Sequence, residues 1–311
     1  MKLLFFNDFK LGVLRKEEVI DVSDIVKSIS HTKPYNFING LIEHFGEYKS
    51  ALQKACDQRK GISTNQVKIR APLPKPTNID CMAVNYMEDG TCSEPAPINA
   101  FHKSPGAIID DGGIMLLPDV PATIFEGEAE LAVVISKRAS KVSAEDAMDY
   151  VFGYMNFVDG SARGLLPPGN TFYQMKSRNT FAPIGPYLVT TDEVPDPHKL
   201  HVRLWNNGVL MQNFSTNDMT HKIQQCIEWI TSIHSLEPGD IIATGTNHLG
   251  LNPFQDGDQI EMEINGLGML HFQVQDDLKR SWARETRLER LQKQLKGVTP
   301  QLTGKYAVNP S

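Results

Sequence analysis

The sequence predicts an α+β fold in which strands dominate, with a small α/β segment leading into a larger β-rich body. Three observations carry that prediction. Short apolar runs rich in β-branched residues recur through the middle of the chain, punctuated by Gly, Pro, Asn or Asp. Only two segments of that body have a helical pattern. A proline-dense connector, Ala71-Pro72-Leu73-Pro74-Lys75-Pro76, fixes its φ angles and separates the lead-in from the body.

In chain order, Leu3–Phe6, Gly12–Leu14 and Val19–Asp21 read as short strands, and helices are expected around Pro34–Phe45 and Glu47–Cys56. In the body, Ser143-Ala144-Glu145-Asp146 resembles a capping box, and Ala147, Tyr150 and Val151 follow at helical spacing. A second helix is expected from about Asn217 to Ser235. Its stripe is Met219, Ile223, Cys226, Ile227 and Ile230, and Glu237-Pro238-Gly239-Asp240 stops it. From Asp276 to Lys296 the chain carries seven Lys/Arg and four Asp/Glu, with Leu278, Trp282, Leu288, Leu291 and Leu295 in partial helical register. Such a tail reads as a solvated helix docked on its own protein or a partner subunit. Residues 297–311 have no pattern and are expected to be poorly ordered. The domain assignment is therefore 1–72, 73–275 and a helical tail 276–311.

Bulk properties exclude several classes. The 311 residues, with 41% hydrophobic and 22% charged, suit a soluble globular protein. A net charge of −6 gives no electrostatic basis for nucleic acid or an anionic membrane as partner. No apolar run approaches the ~20 residues of a membrane span, and Asp8 and Lys10 interrupt the N-terminal apolar patch, unlike a signal peptide. Cys56, Cys81, Cys92 and Cys226 form no CxxC pair, which points away from a thiolate metal site and toward a reduced, cytoplasmic setting.

The most informative residues are acids inside an apolar strand, Phe125-Glu126-Gly127-Glu128-Ala129-Glu130-Leu131-Ala132-Val133-Val134-Ile135. A spacing of two puts Glu128 and Glu130 on one face, roughly 6.5–7 Å apart along the strand. Desolvation and mutual repulsion both oppose burying them side by side, and a cation resolves the conflict. Asp159, in the apolar segment Tyr154–Arg163, completes an all-oxygen set suited to Mg²⁺, Mn²⁺ or Ca²⁺.

Several ordered segments then resemble the fumarylacetoacetate hydrolase family across roughly residues 77–275. They are Ala83-Val84-Asn85-Tyr86, Phe101-His102-Lys103-Ser104-Pro105, the Glu128–Val134 run, Tyr150-Val151-Phe152-Gly153-Tyr154 and Asp159-Gly160-Ser161-Ala162-Arg163. Lys176-Ser177, Thr180–Pro186 and Glu237–Thr246 continue the series. The resemblance implies a mixed β-sandwich roll, a homodimer, and a Mg²⁺ or Mn²⁺ site at Glu128, Glu130 and Asp159. It also implies chemistry on 2-oxo or β-diketo acids: C–C hydrolysis, decarboxylation, hydration or isomerisation. By the same resemblance Lys176 faces the metal site as a catalytic residue, while Tyr86, Arg163, Gln212 and Thr246 bind substrate. Glu126 reads as a strand-end acid behind the ligands, and His102 as a residue lining the site.

The chain departs from the family pattern on the lid, where a His and then a Glu follow Asn-Tyr. Here the segment reads Asn85-Tyr86-Met87-Glu88-Asp89, and Asp89 stands at the position of the His. Asp89 is accordingly the expected base, with Glu88 and Glu94 as rivals. An unperturbed Asp near pKa 3.9 is a weak base unless burial raises it. Gly164, Leu166, Asn179 and Asn247 also depart from the pattern, and Gly160, Leu166 and the Pro167-Pro168-Gly169-Asn170 loop are expected to shape the pocket. The resulting expectation is a metal-dependent hydrolase of an acylpyruvate-like acid. The alternatives are a decarboxylase or tautomerase/isomerase, and a metal- and ligand-binding protein without catalysis.

Overall fold

The computed structural model describes residues 1–33, 36–167 and 172–307. Two long antiparallel strands, Ile124–Ile135 and Val151–Arg163, form its spine and are buried over nearly their whole length. Their near-continuous apolar sequence follows from that position, because both faces are covered. On Ile124–Ile135, Ala129, Leu131, Val133 and Ile135 enter one apolar cluster, whereas Ala132 and Val134 enter another on the opposite face.

These strands lie within a 12-stranded sheet. A second sheet of five strands covers one face with Val202, Leu204, Phe214, Ile260, Met262, Leu270 and Phe272, and the helix Ile223–Ile233 packs on the same side. Helices Phe37–Glu43 and Phe45–Gln58 cover the other face through Phe37, Ile38, Leu41, Ile42 and Leu52. The result is the predicted strand-dominated α+β architecture.

The N-terminal segment is not a separate unit. Lys2–Phe6 pairs with Ala182–Thr190 through Lys2↔Val189 and Leu3↔Leu188, so the lead-in strands extend the main sheet. A boundary at residue 72 follows the proline connector but misses the hydrogen-bonded strand edge on which the lead-in closes.

Three local expectations need correction. The capping-box segment makes only a 3₁₀ turn at Ala147–Tyr150, after which Val151 begins the long strand. Ser143 and Asp146 bond one another, but the β-branched and aromatic residues that follow favour the sheet. The Asn217–Ser235 helix shortens to Ile223–Ile233, preceded by a 3₁₀ turn at Thr216–Asp218, although Met219 still packs in the core. Beyond residue 276 the chain docks on its own protein with little helix, and the patternless stretch after 297 includes a paired strand. Arg280 and Trp282 are buried, Arg287–Gln292 is a short helix with a Thr286–Glu289 capping box, and Gln301–Thr303 pairs with Ser281–Trp282. Pro34, the 168–170 part of the proposed pocket loop, and 308–311 lie outside the described residues.

Candidate active site

Register brings the acids together. Glu128 lies directly opposite Asp159 across the two long strands, and Glu130 follows on the same face. One oxygen from each of Glu128, Glu130 and Asp159 lies within 4.8 Å of the others, and all three residues are buried. Gly245, at φ +85°, turns its backbone N–H onto Glu130 Oε2 at 2.8 Å, a conformation that favours glycine.

Two lysines close on the trio. Lys176 Nζ donates to Glu128 Oε1 at 2.7 Å and to Asp159 Oδ2 at 2.5 Å. Lys103 Nζ donates to Asp159 Oδ1 at 2.5 Å and to the carbonyls of Gly160 and Lys176. Arg163 bridges Glu126, at 3.0 Å from Nε, and Glu128, while Arg287 from the tail holds Glu126 from the other side through two bonds. Lys103 and Arg287 belong to the site although sequence reasoning assigned neither. Lys103 shares alternation with Phe101 on its strand, a signal that points it to the same face; Arg287 had none.

The carboxyls are held unequally. Burial opposes ionising Glu128, yet Lys176 and Arg163 hold it well below the usual carboxylate range. Burial, then Asp159 and Glu128, push Glu130 well above that range. Among the described residues no lysine or arginine pairs with Glu130. A hard divalent cation fits this donor set, because it satisfies three oxygens and offsets the repulsion that falls on Glu130.

The predicted substrate residues divide. Arg163, Lys176 and Thr246 line one small cavity of about 60 Å³ with Glu128, Phe101 and His248. Gln212 instead braces the loop. Its Oε1 accepts from Ala129 N, and its Nε2 donates to Thr246 Oγ1 and the Asn247 carbonyl, each at 2.9 Å. That use of both amide hydrogens leaves none for a substrate. Tyr86 is buried in the core against Phe214, its hydroxyl near Thr244 without a well-formed hydrogen bond. His102 lies outside the cavity and pairs with Asp80. Leu166 is exposed.

Asp89 does not face the trio. It is exposed at φ +54°, with Oδ2 accepting from Asn247 Nδ2 at 3.1 Å. The left-handed turn at Glu88 and Asp89 presents Glu88 instead, whose Oε1 lies 2.6 Å from His248 Nδ1. That bond is the first cause holding the Glu88 carboxyl below its usual range. His248 escaped the sequence reading because it lies 160 residues from the lid segment. Its neighbour Asn247, already conspicuous as a departure from the pattern, was the available signal. With a carboxylate on Nδ1, the proton resides there and Nε2 is the basic nitrogen. His248 and Val84 also line a neighbouring cavity of about 570 Å³, whose far wall is the tail with Arg287, Arg290 and Leu291.

Residues 79–275 match the family model of the fumarylacetoacetate (FAA) hydrolase C-terminal domain. The chain belongs to the fumarylacetoacetate hydrolase family. Its relatives in that family include oxaloacetate tautomerase YisK of Bacillus subtilis, 38% identical over 292 residues, covering 86% of this chain and 97% of that one. The maleylpyruvate hydrolase of Aquipseudomonas alcaligenes is 29% identical over 285 residues, covering 87% and 98%. Among solved structures of the family, maleylpyruvate hydrolase from Sphingobium sp. SYK-6 with manganese(II) ion and pyruvate superposes with a TM-score of 0.80. It is 32% identical and covers 89% of this chain and 99% of that one.

Proposed function

We propose that this protein is a divalent-metal-dependent hydrolase that cleaves a C–C bond in an acylpyruvate-like 2-oxo acid. One observation carries the reading: Glu128 of the all-oxygen carboxylate trio, two cationic side chains and a carboxylate-held imidazole line one cavity. Glu128, Glu130 and Asp159 would hold Mg²⁺ or Mn²⁺, which would supply Lewis-acid polarisation of the 2-oxo group. The manganese and pyruvate in the Sphingobium enzyme support that assignment.

The chain's own residues do the remainder. Arg163 offers a planar guanidinium to the substrate carboxylate. Lys176 stabilises negative charge developing on oxygen, and Lys103 fixes Asp159. His248 Nε2 takes the proton from a water that adds to the acyl carbonyl, with Glu88 stabilising the imidazolium. Breaking the C–C bond and returning that proton to the departing carbon yields pyruvate and a carboxylic acid.

Charge supports an anionic substrate. Glu126, Glu128, Glu130 and Asp159 are matched in number by Lys103, Lys176, Arg163 and Arg287. With Glu88 also ionised and His248 neutral, a bound dication leaves a formal surplus of one positive charge, which favours an anionic substrate.

A second reading is tautomerisation of a small 2-oxo dicarboxylate such as oxaloacetate. The small cavity of about 60 Å³ and the 38% identity to the Bacillus tautomerase favour it. The same His248 would move a carbon-bound proton without adding water. NMR in deuterated water with Mn²⁺ removed after quenching separates the two. Two fragments from an acylpyruvate support hydrolysis, whereas accelerated enol–keto exchange of oxaloacetate without cleavage supports tautomerisation. Neither, across both substrate classes, defeats the proposal. We also propose a homodimer in the cytoplasm, the compartment being in keeping with four free thiols; mass measurement by light scattering checks the assembly.

A further inference from the structure

On the opposite face of the same sheet, three other ligating side chains converge. Asp80 and His102 are direct cross-strand partners on Ile79–Met82 and Ala100–His102, and His234 caps the end of Ile223–Ile233. Ile79 and Cys81 enter the apolar cluster on the catalytic-carboxylate side, so alternation sends Asp80 the other way. One ligand atom from each of Asp80, His102 and His234 lies within 4.8 Å of the others.

We propose that Asp80, His102 and His234 bind a transition-metal dication of the zinc type. Both histidines direct Nε2 at the same carboxylate oxygen, Oδ1, at 2.9 Å and 3.1 Å. Asp80 is only 2% exposed, yet its Oδ2 has no hydrogen-bond partner among the described residues. Two rings that merely hydrogen-bonded a carboxylate would divide between its oxygens, and a buried carboxylate oxygen without a partner is costly.

The tautomer of His234 sharpens the point. Its Nδ1 lies 3.0 Å from the Ser235 carbonyl, which can only accept, so Nδ1 carries a proton. In the neutral ring Nε2 then turns a lone pair toward a carboxylate oxygen, which is repulsive unless a proton or a metal cation lies between them. A carbonyl fixing Nδ1 while Nε2 binds metal is the usual support for a histidine ligand. Zinc–ligand bonds of roughly 2.0–2.1 Å place tetrahedral ligand atoms roughly 3.3 Å apart, so the observed contacts need open by only a few tenths of an ångström. Two imidazoles and one carboxylate select zinc-like ions over Mg²⁺, in contrast to the all-oxygen trio. His102, largely exposed, leaves a position for water. Its neighbours Phe101 and Lys103 face the catalytic carboxylates, so an ion here would fix the strand that presents them.

The test is the zinc content of the full-length protein after equilibrium dialysis against Zn²⁺, for the wild type and the His102→Ala and His234→Ala variants. Each variant is expected to hold one zinc ion fewer per chain than the wild type, while any zinc on Glu128, Glu130 and Asp159 is common to all three. Equal zinc content in wild type and variants, which is the result if the rings are simply protonated partners of Asp80, overturns the proposal. His102 is solvent-facing, so its variant decides the matter should His234→Ala fold poorly by circular dichroism.

Discussion

Glu88 and His248 stand 160 residues apart in sequence and 2.6 Å apart in the fold. The carboxylate comes from the turn after Asn85-Tyr86, and the imidazole from the turn after Thr244-Gly245-Thr246. The pair restores an imidazole beside the lid segment, whose own sequence lacks one.

Removing that imidazole is predicted to disable proton transfer while sparing binding. His248→Ala should lower kcat by about 100-fold or more, the usual contribution of a positioned acid–base group. Glu88→Gln should lower it less, because the ring remains but loses its orienting charge. Asp89→Asn should leave kcat nearly unchanged. Steady-state kinetics on the substrate identified by NMR decides this, and a loss in Asp89→Asn equal to that in His248→Ala would refute the assignment.

The sequence made the trio legible because alternation along a strand is a local rule, and Glu128 and Glu130 obey it whatever else the fold does. Lys176 and Arg163 were legible through family resemblance. His248 was not, because its role depends on where two distant turns meet. Gln212 shows the converse. It was expected among the substrate contacts, but the amide satisfies Ala129, Thr246 and Asn247 instead. The tail was only partly legible for a similar reason. Its partial periodicity pointed to a docked helix, whereas little of it is helical and it is held by single long-range contacts such as Trp282 Nε1 to the Thr123 carbonyl at 2.8 Å.

Metal binding should register as stability. Glu130 is crowded by two carboxylates, so Glu130→Gln should fold at least as well as the wild type without metal. With Mn²⁺ at about 100 times its Kd the wild type should gain about 2.7 kcal/mol, and the variant should gain almost none. Urea unfolding with and without Mn²⁺ measures both quantities. A variant that retained the full gain would show that the ion binds elsewhere.

The tail should prove integral to the fold. Arg280 is 1% exposed; its Nε and Nη2 donate to Asp276 at 2.9 Å, and its side chain also donates to the Pro118 and Val120 carbonyls. Asp276→Ala would strand a buried guanidinium, at a cost of about 3–5 kcal/mol. Chemical denaturation should record that loss, and a change below about 1 kcal/mol would mean that the tail detaches readily in solution.

A dependence on pH should come from His271, remote from the carboxylate trio. Its Nδ1 lies 3.3 Å from Asp111 Oδ1, and Glu261 stands 3.9 Å from Nε2. The hydrogen bond to Asp111 raises the ring above its ordinary value, aided by the charges of Asp111 and Glu261 and opposed by partial burial. A group whose folded pKa is raised binds its proton more tightly when folded. Its contribution is therefore complete below the unfolded value, about 6.5, and disappears as pH rises through the higher folded value. The ring is half exposed, so the effect is modest and screened by salt. Urea midpoints measured from about pH 5.5 to pH 8.5 should show the wild type losing its advantage over His271→Gln as pH rises. An advantage that stayed constant across that window, or grew toward the alkaline end, would show that the imidazolium does not stabilise the fold.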